Sequence, residues 1–162
     1  MLIGILSDTH DRPEAMAAGM EVLRQNGAEM FIHCGDVGGQ KVIDLLAGVN
    51  GLFVWGNTDF DQANLSRYAA NLGIDCRGDF AELQLDGKHI AVTHGHDHQI
   101  MWRILADTSY DYLLHGHTHV ASDNRVGPLR IINPGALHRA SRKSVALLDL
   151  QKDVLRNFPV II

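Results

Sequence analysis

The chain opens on a continuous apolar run, Leu2 to Leu6, that stops abruptly at the polar segment Ser7 to Arg12. An apolar run without alternation predicts a strand buried on both faces. Met16, Met20 and Leu23 then recur at helical spacing behind Pro13, which suits a first helical turn, and Gly27 supplies a stop. The unit repeats. Met30 to Cys34 reads as a second buried strand ending at Gly35-Asp36, after which Val42, Leu45 and Leu46 mark a short helix. Leu52 to Val54 begins a third strand that runs into Gly56-Asn57-Thr58-Asp59, and Leu65, Tyr68, Ala69 and Leu72 form a helical stripe closed by Gly73. This β-α repetition predicts parallel strands with right-handed crossovers.

The pattern then changes. Phe80 to Leu85 and Lys88 to Thr93 flank Asp86-Gly87, a two-residue hairpin signal. A helix around Ile100 to Asp107 and a strand at Tyr112 to His115 follow. The tail alternates short strands with turns: Ala121 to Val126, Leu129 to Asn133, Ser144 to Leu150 and Val154 to Phe158. Such a tail predicts antiparallel pairing, and the whole predicts an α/β (α+β) fold with two sheets packed face to face and helices on the outer sides. No linker or low-complexity segment divides the chain, so residues 1–162 read as a single domain. A chain of this length typically buries roughly 70% of its unfolded surface, enough for a real core.

Composition narrows the function. Fourteen Lys and Arg against nineteen Asp and Glu give a net charge of -5, which argues against stable, non-specific binding of nucleic acid. Cys34 and Cys76 are too few for a disulfide framework or a thiolate zinc site and suit a reducing compartment. The opening apolar run lacks preceding Lys or Arg and is far shorter than the roughly 20 residues of a membrane span, so it reads as a strand, and the expected location is cytoplasmic. The unusual feature is histidine: of ten, six (His94, His96, His98, His115, His117 and His119) lie within one stretch.

Five polar clusters each follow a predicted strand: Asp8-Thr9-His10, Gly35-Asp36, Gly56-Asn57, Thr93-His94-Gly95-His96, and His115-Gly116-His117-Thr118-His119. The carboxyl ends of strands in open α/β sheets converge on one crevice, so residues distant in sequence can meet there. Carboxylate and amide oxygens with imidazole nitrogens suit Mn, Zn, Fe, Ni or Co better than purely oxygen-ligated Ca. The recurring Gly-ligand pairs fit places where the backbone turns sharply.

The ordered set Asp-x-His, Gly-Asp, Gly-Asn, His-Gly-His and Gly-His-x-His, from Asp8 to His119, resembles the calcineurin-like metallophosphoesterase superfamily. Within it the chain is most similar to the small single-domain bacterial and archaeal phosphodiesterases, and Ile132-Asn133-Pro134-Gly135 resembles a further element of that branch. The resemblance implies a four-layer α-β-β-α sandwich of two mixed sheets flanked by helices. It also implies two divalent ions, manganese first, with Zn, Fe, Ni, Co or Mg as alternatives. Asp8, His10, Asp36 and His119 would hold one ion; Asp36, Asn57, His94 and His117 would hold the other. Asp36 would bridge the pair, which in two-metal sites lie roughly 3.5 to 4 Å apart. Two dications against two carboxylates leave a positive surplus that attracts an anionic phosphate. The implied reaction is hydrolysis of a small phosphate ester, with diesters favoured, by in-line attack of a metal-bridging hydroxide.

In better-studied branches a histidine follows the metal-binding asparagine, and here that position is Thr58. The departure leaves the general acid open and predicts either a preference for good leaving groups or a proton supplied by His96 or a metal-bound water. Catalytic expectations therefore fall on Asp36, Asn57 and His96. Asp59 is expected to orient His10 or another ligand from behind, Thr58 stands beside the centre, and Arg12 either meets a phosphate or is a solvated helix-start residue. His96 and His98 read either as polar loop, the favoured reading, or as substrate contacts, His115 as a strand end, and His33, His89 and His138 as structural, solvated or at most rim residues. The rival function is a non-catalytic scaffold on the same fold, as in a retromer subunit, which would not need all seven metal-binding positions. A haloacid-dehalogenase-type phosphatase would require Asp-x-Asp where this chain has Asp8-Thr9-His10, and a dinucleotide-binding domain would require a glycine-rich loop after the first strand. No partner is legible beyond the substrate, and a homo-oligomer is an open expectation.

Overall fold

A computed structural model describes residues 1–162. The first repeats form β1 (Leu2–Leu6), α1 (Pro13–Gln25), β2 (Met30–His33), α2 (Gln40–Ile43) running into a short 3-10 turn at Asp44–Leu46, β3 (Gly51–Phe53), α3 (Gln62–Asn71) and β4 (Asp75–Cys76). The remainder forms β5 (Phe80–Leu85), β6 (Lys88–Thr93), α4 (His98–Ala106), β7 (Tyr112–Leu114), β8 (Ser122–Val126), β9 (Leu129–Asn133), β10 (Ser144–Asp149) and β11 (Val154–Pro159). One mixed sheet has the order β11-β10-β1-β2-β3-β4 and the other β5-β6-β7-β9-β8.

The unbroken apolar runs have a simple cause: alternate residues of each strand serve different cores. Ile3 and Ile5 of β1, Ile32 of β2, Leu52 of β3, and Ala146 and Leu148 of β10 meet Ile90 and Val92 of β6, Tyr112 and Leu114 of β7 and Ile132 of β9 between the sheets. Leu6, Phe31, Phe53, Val145 and Leu147 point the other way, against Met16, Met20, Leu23, Val42 and Leu65 of the helices. Ala91, Leu113 and Leu129 leave the second sheet on its outer face to meet Ile100 and Ile104 of α4. Side chains of period two on both sheets thus produce the four layers α-β-β-α.

The expected parallel order is present in β1 through β4, and the Asp86-Gly87 turn joins the β5-β6 hairpin, with both central residues at positive φ. The tail corrects one expectation. β8 and β9 pair antiparallel, as do β10 and β11, but β9 lies parallel to β7. The loop after β7 carries the chain out to the sheet edge, where β8 runs backwards; reversing again, β9 fits between β8 and β7 in the direction of β7. The two-residue β4 was not legible as a strand. α4 begins at His98 because the Asp97 carboxylate accepts hydrogen bonds from the amides of Gln99 and Ile100. His98 is therefore an exposed helix-start residue.

The sheets are latched at the amino ends of β7 and β9. Arg130, 7% exposed, donates Nε and Nη2 to Asp123 at 2.8 and 2.7 Å and Nη1 to Asp153 Oδ1 at 2.6 Å. Asp153 lies in the turn between β10 and β11 of the opposite sheet and also accepts from the Tyr112 hydroxyl at 2.7 Å. Burial pushes the Asp153 carboxyl up, but Tyr112, Arg130 and Arg125 outweigh it and bring the pKa down to about 2. A folded-state pKa below the unfolded value of about 3.9 means that the stabilisation is complete above that value and fades as the pH falls through about 2. Asp153→Asn should therefore lower the thermal midpoint at pH 7 and flatten its fall between pH 4 and pH 2; a variant with an unchanged acid transition, followed by circular dichroism, would count against the latch.

Candidate metal centre

The parallel strands bring the five polar clusters to one edge. β1, β2 and β3 deliver Asp8, His10, Asp36 and Asn57, while β6 and β7 deliver His94, His117 and His119 from the facing sheet. Loop amides stitch the strand ends together: Asp8 N to Gly35 O at 3.0 Å, His10 N to Asp36 O at 2.9 Å, and Gly116 N to His94 O at 3.0 Å. Asp8, His10, Asp36, His117 and His119 all adopt positive φ, between 48° and 68°. Non-glycine residues rarely take this conformation, and its concentration at one point marks a functional site independently of any motif.

Each carboxylate commits one oxygen to a backbone amide and turns the other inward. Asp36 Oδ1 accepts from Thr58 N at 2.9 Å, leaving Oδ2 at 3.5 Å from His10 Nε2 and 3.4 Å from His94 Nε2. Asp8 Oδ2 accepts from His117 N at 3.1 Å; Oδ1 lies 3.0 Å from His119 Nε2 and 3.9 Å from both His10 and His94. The imidazoles are oriented in the same sense. His94 Nδ1 donates to the Cys34 carbonyl at 2.8 Å and His119 Nδ1 to the Arg139 carbonyl at 3.3 Å, so in each neutral ring Nε2 presents a lone pair to the interior. Asn57 Oδ1, 3.1 Å from His94 Nε2, adds another acceptor. Lone pairs converging at these distances repel unless a cation stands among them, and Asp8 Oδ1 is buried with no hydrogen-bond donor. The donor set thus fits divalent metal. Asp8, His10 and His119 form one tight group, and Asp8, Asp36 and His94 form another. His117 stands outside both: it is exposed, and its ring lies 5.2 Å from that of His94.

The charges follow from this packing. Burial alone raises the Asp36 carboxyl, but the His94 bond and charge and the Thr58 amide hold it well below the usual carboxylate range. Burial lowers His10 and His117. Burial lowers His94, but the carboxylates of Asp36 and Asp8 outweigh it and raise its pKa, because the converging acceptors favour positive charge at this point.

The supporting residues are distributed differently from the sequence-based expectation. Thr58, beside the centre, places Oγ1 at 3.3 Å from His10 Nδ1. Asp59 orders backbone, not His10: its carboxylate accepts from Val37, Gly38 and Gly56 amides at 3.2, 2.8 and 2.8 Å, pinning the loops that follow β2 and β3. Two supports carried no strong sequence signal. His33, fully buried with its pKa pushed down by burial to about 3, accepts from Gly35 N and bonds Thr9 Oγ1 at 2.7 Å, tying the first two loops. Asn133 donates Nδ2 to Gly116 O and Thr118 Oγ1 and accepts from Gly135 N, bracing the His117–His119 loop. Both stand at the carboxyl ends of buried strands, and Asn133 also belongs to the Ile132-Asn133-Pro134-Gly135 element singled out in the sequence. His138 is at the rim, 5.8 Å from the His10 ring; His89 lies elsewhere, bonded to Glu82. His96 is beside His94 and His117, 5.4 and 6.2 Å between ring centres, with its Nδ1 buried and unpartnered. Arg12 is exposed at the start of α1.

Residues 1–153 match the calcineurin-like phosphoesterase superfamily domain. The chain belongs to this family. It is a hydrolase of phosphate esters, and its family implies divalent metal at the donor set described. Phosphodiesterase MJ0936 of Methanocaldococcus jannaschii is 28% identical over 161 residues, covering 96% of this chain and 97% of that protein. The probable metallophosphoesterase YsnB of Bacillus subtilis is also 28% identical, over 94% of this chain and 86% of its own length. A solved archaeal phosphodiesterase superposes with a TM-score of 0.89 at 27% identity, covering 99% of this chain and 100% of that one. No helix of this phosphoesterase is long and apolar enough to cross a membrane.

The glycines beside the donors divide into two kinds. Gly35 and Gly95 have φ of +97° and +103°, whereas a Cβ at Gly56 would collide with the Asp36 side chain and amide, and one at Gly116 with Ser7 Oγ and Asp8 Oδ2. Gly56→Ala should displace Asp36 and lower turnover by about a hundredfold; kinetics at saturating metal that match the unaltered enzyme would show that the contact relaxes harmlessly.

Proposed function

We propose that the centre holds two divalent cations, manganese in the first instance, and hydrolyses phosphodiesters of small alcohols or phenols. The single observation that carries this reading is the inward convergence of lone-pair-bearing atoms whose neighbours are already committed outward, with Asp8 Oδ1 buried and without a donor. Asp8, His10, Asp36 and His119 are assigned to one ion and Asp36, Asn57, His94 and His117 to the other. Asp36 is assigned to both sets because its Oδ2 approaches His10 and His94 at 3.5 and 3.4 Å, nearer to the two rings than the 3.9 Å of Asp8 Oδ1. The chemistry such ions supply is Lewis acidity, which makes hydroxide available near neutral pH and polarises phosphate oxygens for in-line displacement.

The protein's own groups then position and neutralise. Asn57 contributes an oxygen without a charge, which leaves the site net positive toward a phosphate when both ions are bound. Asn57 and His117, the two exposed members, face the side from which substrate arrives. Thr58 is occupied in holding His10 and Asp36, and a hydroxyl of ordinary acidity is a poor proton donor to an alkoxide. The unpartnered Nδ1 of His96 is assigned a contact to a substrate oxygen. A single assigned domain over residues 1–162 suffices for all of these roles.

Purified protein should hydrolyse bis-p-nitrophenyl phosphate when manganese is added and stop when it is chelated. Asp36→Asn should lose about a hundredfold or more in turnover together with metal content by elemental analysis. Failure of a folded sample to turn over with any divalent metal would favour a scaffold. Aryl diesters should outpace alkyl diesters by orders of magnitude, and equal rates would mean that an efficient proton donor is present.

A further inference from the structure

The net charge of -5 conceals a local inversion beside the centre. The loop between β9 and β10 contains His138, Arg139, Arg142 and Lys143 and no carboxylate after Asn133. It is bonded directly to the metal-centre residues: His138 N donates to Asp8 O at 3.0 Å, and the Arg139 carbonyl accepts from His119 Nδ1. From this junction opens a cavity of about 380 Å³ whose wall begins with His119 and continues through Arg142, Lys143, Asn157 and Phe158. No acidic residue lines it. Lys143 also lines the adjoining cavity of about 260 Å³, with Arg12, Glu14 and His138. Arg12, Arg139 and Lys143 lie close enough to His138 for their charges, after burial, to lower its pKa.

A separate cavity beside Asp11 has the other sign. There Asp11 and Asp61 surround Lys41, the one cation in a cavity with Gly38, Gly39 and Gln40. A phosphate ester whose scissile group sits at the centre therefore meets positive charge on the His119 side. The loop is also held in place: Lys143 O accepts from Val160 N at 2.9 Å, and Ser144 Oγ donates to Pro134 O at 2.7 Å. An anion bound there would meet positive charge carried on a fixed backbone, and Arg142 supplies the forked donor geometry that suits phosphate.

We infer that the cavity between His119 and Phe158 is a second-phosphate subsite, in which Arg142 and Lys143 bind an additional phosphate group carried by the ester substrate. The inference rests on the phosphoesterase reading and narrows it to a substrate class: esters bearing a second phosphate within a few bonds of the scissile one. The two cations set orientation and specificity, while bond cleavage stays with the metal centre.

The test compares two chromogenic diesters, the p-nitrophenyl ester of thymidine 5'-phosphate and the same ester carrying a 3'-phosphate, in manganese-loaded enzyme. The 3'-phosphorylated ester should have the higher kcat/KM by about tenfold or more, mainly through KM. Arg142→Ala with Lys143→Ala should bring the ratio close to one, and Arg142→Glu should invert it. Lys41→Ala removes an equal charge from the separate Asp11 cavity and should leave the ratio as it was. Equal kcat/KM for the two esters, or a ratio that falls as far with Lys41→Ala as with the double variant, would overturn the subsite while leaving the phosphoesterase reading intact. Hydrolysis of neither ester would count against the phosphoesterase reading itself.

Discussion

The centre depends on dividing each buried carboxylate between two tasks. Asp36 gives one oxygen to the Thr58 amide and Asp8 gives one to the His117 amide, so the remaining oxygens are fixed in direction before any cation arrives. Neither arrangement is local. Thr58 follows β3 and His117 follows β7, on different sheets, and the carboxylates follow β2 and β1. The site exists only while the two sheets are packed in register, which gives the inter-sheet core a direct role in chemistry.

This constraint explains why so much of the surrounding backbone is unusual. Loops that bring Asp8, His10, Asp36, His94 and His119 together must turn within one or two residues of a strand, and left-handed φ values gather there, at Asp8, His10, Asp36, His117 and His119. His33, Asp59 and Asn133 hold those turns with buried hydrogen bonds, converting local strain into fixed donor directions. At the other end of the sandwich the Arg130 latch joins β9 to the β10-β11 turn, so the sheets are tied at both ends of their shared core.

Electrostatics around the site is equally dependent on folding. The chain is acidic overall, yet Arg12, Arg139 and Lys143 gather around His138 and Arg142 lines the cavity beside His119, while Asp11 and Asp61 line a separate cavity. Local positive charge beside a metal centre orients an anion more effectively than net charge can, because field lines are focused by the low-dielectric walls beside it.

The sequence by itself determined most of the elements and the family. Unbroken apolar runs disclosed the strands that serve two cores, Asp86-Gly87 disclosed the hairpin, and the order of the Asp, Asn and His clusters disclosed the superfamily, because periodicity and turn chemistry are local properties. β4 escaped because two residues carry no periodicity, and the parallel placement of β9 escaped because pairing is a choice among distant strands. Only the tertiary structure decided which atoms face one another: that Thr58, not Asp59, reaches His10, that His33 and Asn133 brace the loops, and that a basic loop borders His119. Those relations are set by how two sheets stack, and no spacing along the chain encodes a distance between them.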